Sequence, residues 1–356
     1  MTLADRGGRA RFTIACASAM TALAMLVSGA QLQSQGAPAQ NRAQQPAWPP
    51  VLSGPAQGEV EVMPVKGNVY MISGAGPNIT VQVGDEGILI VDTGIASMSE
   101  KVWAAVRGLS KTGKLRYVVN TSDLPDHIGG NAAIAAKGEI VPLRERNYNA
   151  GPMGTIEYNR ASVIAYLTVL GRMSAPTGQV SPTPPAAWPD NTYATPLKRL
   201  SFNGEPVVMM HETANTDGNT VVLFRRSDVV SAGDLVDLTS FPVIDVKAGG
   251  SLPGMIVALN HLIDTTVPEA HAAGGTMVIP GHGRLADHAE VAYYRDMVTI
   301  VRDRVDDMMK KKMTLEQIKA AHPARDYEPR YGRTTGTWTT DMFIEAAYRS
   351  LAAGTN

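Results

Sequence analysis

Cysteine is almost absent from this sequence. Among 356 residues there is one cysteine, Cys16, and it lies in an apolar stretch close to the N-terminus. If that stretch is cleaved, the remaining chain contains no thiol, so it can form no disulfide and offers no thiolate ligand to a metal ion. Any metal site must then use imidazole and carboxylate side chains, and stability must come from the hydrophobic core.

An excess of positive charge is also absent. The sequence has 32 Lys and Arg against 33 Asp and Glu, a formal net charge of −1. Three arginines and Asp5 lie in residues 1–30, and without them the balance is 29 basic and 32 acidic residues, a net charge of −3. A nucleic-acid-binding protein presents a strongly basic face, so we expect no nucleic-acid partner.

Long hydrophobic runs are scarce as well. The longest, Phe12–Val27, follows three arginines and precedes small residues at Ser28–Ala30 and again at Ala37–Ala39 that suit cleavage. This pattern predicts a secretory signal peptide over residues 1–30. A single membrane anchor is the alternative, but a run of about 16 residues is short against the roughly 20 needed for a span. We therefore expect a periplasmic or secreted protein with no membrane segment after cleavage.

Composition divides the rest of the chain into two regions. Residues 31–57 are rich in Gln, Ala and Pro, which predicts a disordered linker. Residues 58–356 have ordinary globular composition, and the whole chain is 44% hydrophobic, so this region can bury one large core. We expect it to form one domain that ends in helices.

The first half of that domain alternates short apolar runs with turns. Four runs, "EVEVMPV", "NVYMISG", "ITVQVG" and "GILIVDTG", predict a β-meander. A helical pattern then stops at Gly113, and "RYVVNT" is typical of a buried strand. From about Ile128 to Leu170 the pattern is helical again, and Ser174–Pro196 is a long proline-rich connection of the kind that forms functional lids or disordered loops.

The second half repeats this order. Strands are predicted in "LKRLSF", "EPVVMMHE", "NTVVLFRR" and "DVVSAGD", then a helix from about Leu252 to Val267 and a strand in "GTMVIPG". Two more helical stretches, His288–Lys312 and Thr337–Leu351, follow. Two such βα halves predict an α/β fold in which two sheets pack face to face with helices outside.

Acidic and imidazole residues occur where strands are predicted to end. Asp126 and His127 follow "RYVVNT", Asp234 follows "VVSAG", and His282 follows "TMVIPG". Nearby glycines allow the backbone to turn sharply and approach a ligand. Taken singly, each is more simply a loop or turn residue. Together they indicate one site, because sites in α/β folds lie at strand ends.

Five segments in order resemble landmarks of the metallo-β-lactamase superfamily. They are "ILIVDTG" (Ile88–Gly94), "VVNTSDLPDHIGGN" (Val118–Asn131), "ANTDGN" (Ala214–Asn219), "SAGDLVD" (Ser231–Asp237) and "IPGHG" (Ile279–Gly283). The resemblance implies a four-layer αββα sandwich that binds one or two metal ions, usually zinc, between its two sheets. It does not name a reaction, because the fold hosts many.

The resemblance predicts that one metal position is vacated. The family loop has the form H-x-H-x-D-H, and the first metal position uses three histidines. Those positions align with Ser122, Leu124 and Asn215 in this sequence. Leucine cannot bind a metal ion, and serine and asparagine are weak neutral ligands for zinc.

The second metal position is complete by the same resemblance. Its ligands align with Asp126, His127, Asp234 and His282. Two imidazoles and two carboxylates suit one zinc ion and would also suit iron(II) or manganese(II). All four ligands of the second position are present, whereas all three of the first are missing. We therefore expect that a metal ion still binds at the second position. The alternative is that the four residues form a buried hydrogen-bond network.

Three further residues near these ligands are candidates for supporting or alternative roles. Asp92 in "VDTG" is expected to hold the metal loop in place rather than to bind metal. Asp123 lies between two vacated positions and could act as a base on water, or it could be a solvated loop carboxylate. His211 ends an apolar strand and is the nearest candidate for a substitute ligand, although a core or rim histidine is the simpler interpretation.

Two hypotheses about function follow. The first is an exported hydrolase whose single metal centre acts on an ester, lactone, thioester or amide bond of a small molecule, with Asp126 and Asp123 as catalytic carboxylates. The second is a catalytically inactive binding protein that uses the cleft under Ser174–Pro196. Oligomeric state is open at this point.

Overall fold

Two β-sheets lie at the centre of the fold, and the strands of each follow the chain in order. The computed structural model describes residues 58–139, 160–176, 178–270 and 274–353. All of these belong to one compact unit. The predicted signal peptide and linker lie outside the described residues.

The first sheet contains seven strands in the order β1-β2-β3-β4-β5-β6-β7. Strands β1 to β4 pair antiparallel, as the predicted meander requires, and β4 to β7 pair parallel. The strands are β1 Glu61–Lys66, β2 Val69–Ser73, β3 Ile79–Gly84, β4 Gly87–Val91, β5 Leu115–Val119, β6 Ser162–Tyr166 and β7 Asn191–Tyr193.

The second sheet contains five strands in the order β12-β11-β10-β9-β8. Its pairs are antiparallel except for β11 and β12, which run parallel because a helical segment connects them. The strands are β8 Leu197–Phe202, β9 Glu205–Glu212, β10 Asn219–Phe224, β11 Val229–Asp237 and β12 Met277–His282.

Helices cover the outer faces of both sheets. Among the described residues, none of the helices is long and apolar enough to cross a bilayer. Those helices are α1 Ser99–Leu109, α2 Pro125–Ile128, α3 Asn131–Ala135, α4 Leu167–Met173, α5 Leu252–Thr265, α6 His288–Lys310, α7 Leu315–Ala320, α8 Glu328–Tyr331 and α9 Thr340–Ala353.

Alternate residues of β4 pack into different layers. Leu89 and Val91 are buried between the sheets with Met209 of β9. Ile88 and Ile90 are buried on the outer face with residues of α1 and α3. A third cluster joins the other sheet to α5, α6 and α9. Because strand side chains alternate between faces, both faces are covered, and the predicted four-layer αββα sandwich is confirmed.

The prediction of helix from Ile128 to Leu170 is wrong at Ser162–Tyr166, whereas residues 167–170 are helical in α4. Ser162–Tyr166 forms β6, an inner strand between β5 and β7. Its three central residues are all buried. A strand covered on both faces is a continuous apolar run, and periodicity alone cannot separate that from a buried helix. Residues 140–159 lie outside the described ranges.

Candidate metal centre

The loop after β5 carries two of the candidate ligands. It leads into the short helix α2, which begins at Pro125, where the fixed φ of proline suits the first helical position. Asp126 and His127 are the next two residues. The His127 side chain is fully buried, whereas 37% of the Asp126 side chain is exposed. One ligand therefore faces the interior and the other faces solvent.

Asp92, just after β4, holds this loop at three points. Its Oδ1 accepts a hydrogen bond from the backbone N–H of Thr121 at 2.8 Å, and its Oδ2 accepts one from the Thr121 hydroxyl at 2.6 Å. His127 Nδ1 lies 2.7 Å from the same Oδ2. A carboxylate only accepts, so His127 carries a proton on Nδ1. Asp92 has φ 61°, an unfavourable left-handed conformation that these contacts maintain.

The other two candidates come from the second sheet. Asp234 lies within β11 and His282 ends β12. His282 Nε2 lies 3.6 Å from Asp234 Oδ1 and 3.5 Å from Asp126 Oδ2. His127 Nε2 lies 3.1 Å from Asp234 Oδ1. The structure therefore brings the four predicted residues together from both sheets.

Two glycines permit this close approach. A Cβ at position 281 would lie 2.1 Å from Asp234 Oδ1, so Gly281 leaves room for the carboxylate. Gly233 has φ 52°, and a Cβ there would lie 2.8 Å from the Thr121 side chain. Each glycine directly precedes a candidate ligand. Because glycine has no side chain, both residues allow this close packing, and Gly233 also adopts a positive φ without strain.

Opposite charges shift the pKa values of the cluster. Burial raises the pKa of Asp234, but the imidazoles of His127 and His282 outweigh it and lower that pKa to about 2. Burial lowers the pKa of His127, but Asp234 and Asp92 outweigh it and raise that pKa well above its usual value. The pKa of Asp126 is lowered despite burial, because His282 and His127 lie close. The carboxylates are therefore ionised at neutral pH, as metal ligands must be.

Two buried atoms of the cluster face each other without a hydrogen bond. His127 Nε2 and Asp234 Oδ1 lie 3.1 Å apart, close enough for an ion pair, but they are not aligned for a hydrogen bond, and neither makes a hydrogen bond to any other described residue. Buried polar atoms without partners are rare. Asp126, His127 and His282 also offer ligand atoms that all lie within 4.8 Å of one another. The residues present therefore fit a metal ion that takes imidazole and carboxylate ligands.

Comparison with known families gives the same result from the sequence. A sequence model described as the metallo-beta-lactamase superfamily matches residues 72–285, more than half of the chain. The chain belongs to the metallo-beta-lactamase superfamily. The predicted family is confirmed, and with it a hydrolase fold that carries a candidate metal site. No curated protein matches the sequence.

A solved alkylsulfatase structure has a similar fold. The stereoselective inverting sec-alkylsulfatase Pisa1 from Pseudomonas sp. is 14% identical, with a TM-score of 0.55 over 82% of this chain and 50% of that chain. A metallo-beta-lactamase from Pontibacter korlensis is 17% identical, with a TM-score of 0.49 over 68% of this chain and 99% of that chain. The chain thus spans about half the length of the sulfatase. At such identities the likeness shows the fold alone.

Ser122 and Asn215, two of the positions aligned with the superfamily's first metal ligands, make polar contacts within the protein, although the buried Asn215 Oδ1 has no hydrogen-bond partner among the described residues. Ser122 Oγ accepts a hydrogen bond from the backbone N–H of Leu124 at 3.3 Å. Asn215 Nδ2 donates to the Val243 carbonyl at 2.8 Å. In the described part of the chain, the His, Asp and Glu side chains with metal-ligand spacing form one group, the one containing Asp126. Nothing in that part replaces the three missing histidines.

Asp123 is not a solvated loop carboxylate. Its side chain is 18% exposed and faces Arg172 of α4. The Arg172 Nε–H donates to Asp123 Oδ2 at 2.9 Å, and Nη2 lies 2.8 Å from Oδ1. With both oxygens against a guanidinium, this carboxylate is poorly placed to take a proton from water. The structure therefore argues against Asp123 as a catalytic base.

His211 is engaged by a neighbouring loop instead of serving as a substitute ligand. Its Nε2 donates to the Asp217 carbonyl at 2.8 Å. The ring stacks on Tyr166, with the ring centroids 3.5 Å apart and 10° between the planes. These contacts make it a support for the chain around Asp217, in line with the interpretation as a rim histidine.

Asn78 supports the centre and was not predicted from the sequence. Its backbone N–H donates to the Gly281 carbonyl at 2.7 Å. Its Nδ2 donates to the carbonyls of Pro280 at 3.0 Å and Gly283 at 2.8 Å. These three bonds bracket His282. No local pattern marks Asn78, because Pro280 lies 202 residues further along the chain.

Proposed function

We propose that the protein is an exported hydrolase with a single metal ion, acting on an ester, lactone, thioester or amide bond of a small molecule. The observation that carries this proposal is a pair of buried ligand atoms, His127 Nε2 and Asp234 Oδ1, which lack hydrogen-bond partners among the described residues. Asp126 and His282 lie beside them with the spacing of metal ligands. A buried network made only for stability would align these atoms for hydrogen bonds as well as pair their charges.

Four side chains would hold the metal ion: Asp126, His127, Asp234 and His282. When bound, such an ion lowers the pKa of water and polarises the oxygen of the bond to be cleaved. We propose one zinc ion, and iron(II) or manganese(II) would suit the same ligands. A second ion is not expected, because the superfamily's other position has no ligands in this chain.

The chain's own residues supply orientation and proton transfer. Asp92 keeps a proton on His127 Nδ1, which leaves Nε2 free to face the centre. The His127 and Asp234 side chains are buried, whereas 37% of Asp126 and 26% of His282 is exposed. Substrate therefore approaches from the side of Asp126 and His282. Asp126 is the carboxylate placed to orient incoming water and accept its proton.

We also propose that the protein works in the periplasm or outside the cell. Arginines followed by an apolar run support a signal peptide over residues 1–30. In this proposal residues 31–57 form a linker and residues 58–356 form the catalytic domain. The lack of cysteine after Cys16 is compatible with export, because no thiol needs protection from oxidation.

Metal content tests the centre directly. The exported protein would be purified without chelators and analysed by mass spectrometry beside His282→Ala. His261→Ala is the matched control, because His261 is 59% exposed and pairs with Glu212 away from the cluster. We expect about one metal ion per chain in the wild type and the control, and none in His282→Ala. Metal-free protein in all three would overturn the proposal.

Turnover separates the hydrolase from the binding-protein hypothesis. A panel of chromogenic esters, lactones, thioesters and amides would be offered to the wild type, Asp126→Ala, His282→Ala and His261→Ala. The hydrolase predicts turnover that both cluster variants lose and His261→Ala keeps. A metal-loaded wild type that turns over none of the four bond classes would favour the binding protein, whose ligand affinity should then survive Asp126→Ala.

A further inference from the structure

Arg172 lies between the loop that carries Asp126 and His127 and the turn Thr216–Gly218. Its guanidinium contacts both oxygens of Asp123, through Nε at 2.9 Å and Nη2 at 2.8 Å. Nη1 donates to Asp217 Oδ1, and Nη2 also donates to Thr216 Oγ1 at 3.2 Å. All three guanidinium nitrogens therefore contact protein side chains. Few of the five N–H donors remain to bind a substrate.

The two loops joined by Arg172 are the ones that lost their metal ligands. Asp123 lies between the vacated positions Ser122 and Leu124, and the same loop continues into Asp126 and His127. Thr216 and Asp217 directly follow the vacated position Asn215. Two loops that face each other with two carboxylates and no cation would repel. Arg172 supplies the positive charge between them.

The chain leaves room for this guanidinium. A Cβ at position 218 would lie 2.5 Å from Arg172 Nη2 and 2.8 Å from Thr168 Oγ1, so Gly218 is needed for the close approach. Thr168, one turn earlier on α4, donates to the Asp217 carbonyl at 3.4 Å. Two side chains of α4 therefore contact the same short turn.

Helix α4 is itself held rigidly under the loops. Val169 and Met173 are buried in a small cluster with Ile128, which ends α2, and with Ala165 and Ala187. Arg172 therefore extends from a packed helix and not from a mobile surface segment, and a rigid base is what a side chain needs to fix its partners.

We propose that Arg172 is a positioning residue of the metal centre: its side-chain cation clamps the loop of Asp126 and His127 to the turn Thr216–Gly218, where this chain has no first-site ligands to join them. The clamp is a contact between loops and needs no hydrolysis, so it stands apart from the proposed reaction. Its effect on metal affinity rests on the proposed function.

Hydrogen exchange tests the clamp. Arg172→Met removes the charge and keeps a long side chain. The control is Arg304→Met, because Arg304 likewise tethers its helix to another segment, through the Pro323 carbonyl at 2.8 Å and Asp326 at 2.7 Å, and these partners belong to neither of the two loops. In metal-free protein, Arg172→Met should speed exchange of residues 121–128 and 213–219 by about tenfold, and the control should leave both unchanged. Faster exchange in one segment only, or in neither, overturns the proposal.

A second variant protects the test against misfolding. Arg172→Met leaves Asp123 and Asp217 without their cation, and that repulsion could unfold the domain. The triple variant Arg172→Met, Asp123→Asn, Asp217→Asn removes all three charges with little change of shape. It should fold and show the same faster exchange in both segments. If the triple variant exchanges like the wild type, the clamp does not position the loops.

Zinc affinity distinguishes a positioning role from a purely structural contact, because a purely structural contact would leave the affinity unchanged. Arg172→Met should weaken zinc binding by about tenfold or more, as loss of an orienting partner does. Arg172→Lys keeps the charge but lacks the planar guanidinium that holds both carboxylates. Its zinc affinity should therefore lie between those of the wild type and Arg172→Met. Arg304→Met should bind as the wild type does. Unchanged affinity in Arg172→Met would refute positioning of the metal ligands, whereas a wild type that binds no metal would refute the proposed function alone.

Discussion

At the scale of single residues, the candidate ligands and the supporting Asp92 could be predicted from the sequence, whereas the supports Arg172 and Asn78 could not. In the sequence, Asp126, His127, Asp234 and His282 each follow an apolar run and have glycines nearby, which is a local pattern, although the structure places Asp234 inside β11 and not at its end. Arg172 meets Asp123 and Asp217 from 49 and 45 residues away. No composition or spacing encodes such pairs, because they depend on how the elements pack.

Asp92 gives the first residue-scale prediction. Replacing it by asparagine removes the carboxylate that accepts from His127 Nδ1 and supports the basicity of Nε2. We expect Asp92→Asn to weaken zinc binding about 10- to 100-fold. Competition with a chromophoric chelator measures this. The control is Asp245→Asn, which alters a carboxylate that caps the short turn Val246–Ala248 and should leave zinc affinity unchanged.

Asn78 gives the second residue-scale prediction. In Asn78→Ala the backbone bond to Gly281 remains, but the carbonyls of Pro280 and Gly283 lose their Nδ2 donor. Zinc affinity should fall, and stability should fall by about 1–3 kcal/mol because buried acceptors are left unpaired. The control Asn68→Ala also loses two side-chain bonds, from Nδ2 to the Val83 carbonyl and from the Ser227 hydroxyl to Oδ1. Urea unfolding and zinc titration of both variants should show that only Asn78→Ala lowers zinc affinity. Equal loss of zinc affinity in the two variants would contradict the assignment of Asn78 as a support of the metal centre.

At the scale of elements, apolar runs bounded by turn signals predicted most of the strands, but this pattern failed for β6. The meander β1 to β4 and the run β8 to β11 were visible because turns punctuate them. The inner strand Ser162–Tyr166 shows neither alternation nor a nearby turn signal. The edge strand β7 has three residues within the proline-rich connection, too few for any pattern.

The parallel pair β11–β12 gives a prediction about packing between elements. In Gly281→Ala the new methyl group would collide with Asp234 Oδ1, so the strand must move or the carboxylate must rotate. We expect loss of metal binding together with destabilisation of about 1–3 kcal/mol. Gly108→Ala in α1 is the control: its Cβ meets nothing within 4 Å, and helix propensity predicts a gain of up to about 1 kcal/mol. Normal metal content in Gly281→Ala would show that the close approach is not required.

At the scale of the whole molecule, polar contacts join the two sheets at the end away from Asp92. Glu205, at the start of β9, is buried and accepts from Gln82 of β3 at 2.7 Å and from the Ser227 hydroxyl at 2.8 Å. Lys66 of β1 reaches Asp228 at 2.8 Å. The layered fold follows from the apolar pattern, but these links hold the sheets in one relative position, and the sequence alone did not reveal them.

The Lys66–Asp228 link predicts a pH dependence of stability. Burial raises the pKa of Asp228, but the hydrogen bonds from Lys66 and Thr276 outweigh it and lower that pKa below its ordinary value. A carboxyl with a lowered pKa in the folded state stabilises the fold above its unfolded pKa of about 3.9, and the contribution is lost as pH falls through the folded pKa. Wild type should therefore exceed Asp228→Asn in stability at pH 7, and the difference should shrink toward pH 3.

Urea titrations of the metal-free protein at both pH values measure that difference. Chelator is needed so that loss of metal at low pH does not enter the comparison. A difference between wild type and Asp228→Asn that stays constant from pH 7 to pH 3 would show that the carboxylate charge contributes nothing to joining the sheets.

The four candidate ligands come from both sheets, and this has a consequence for how the protein matures. During synthesis Asp126 and His127 emerge early, and His282 emerges after nearly all of the second sheet. A pair of ligands on a partly made chain holds a metal ion weakly, so tight capture waits until the two halves have docked. Metal uptake would then mark completion of the fold, and misassembled chains would remain metal-free and be left to quality-control proteases.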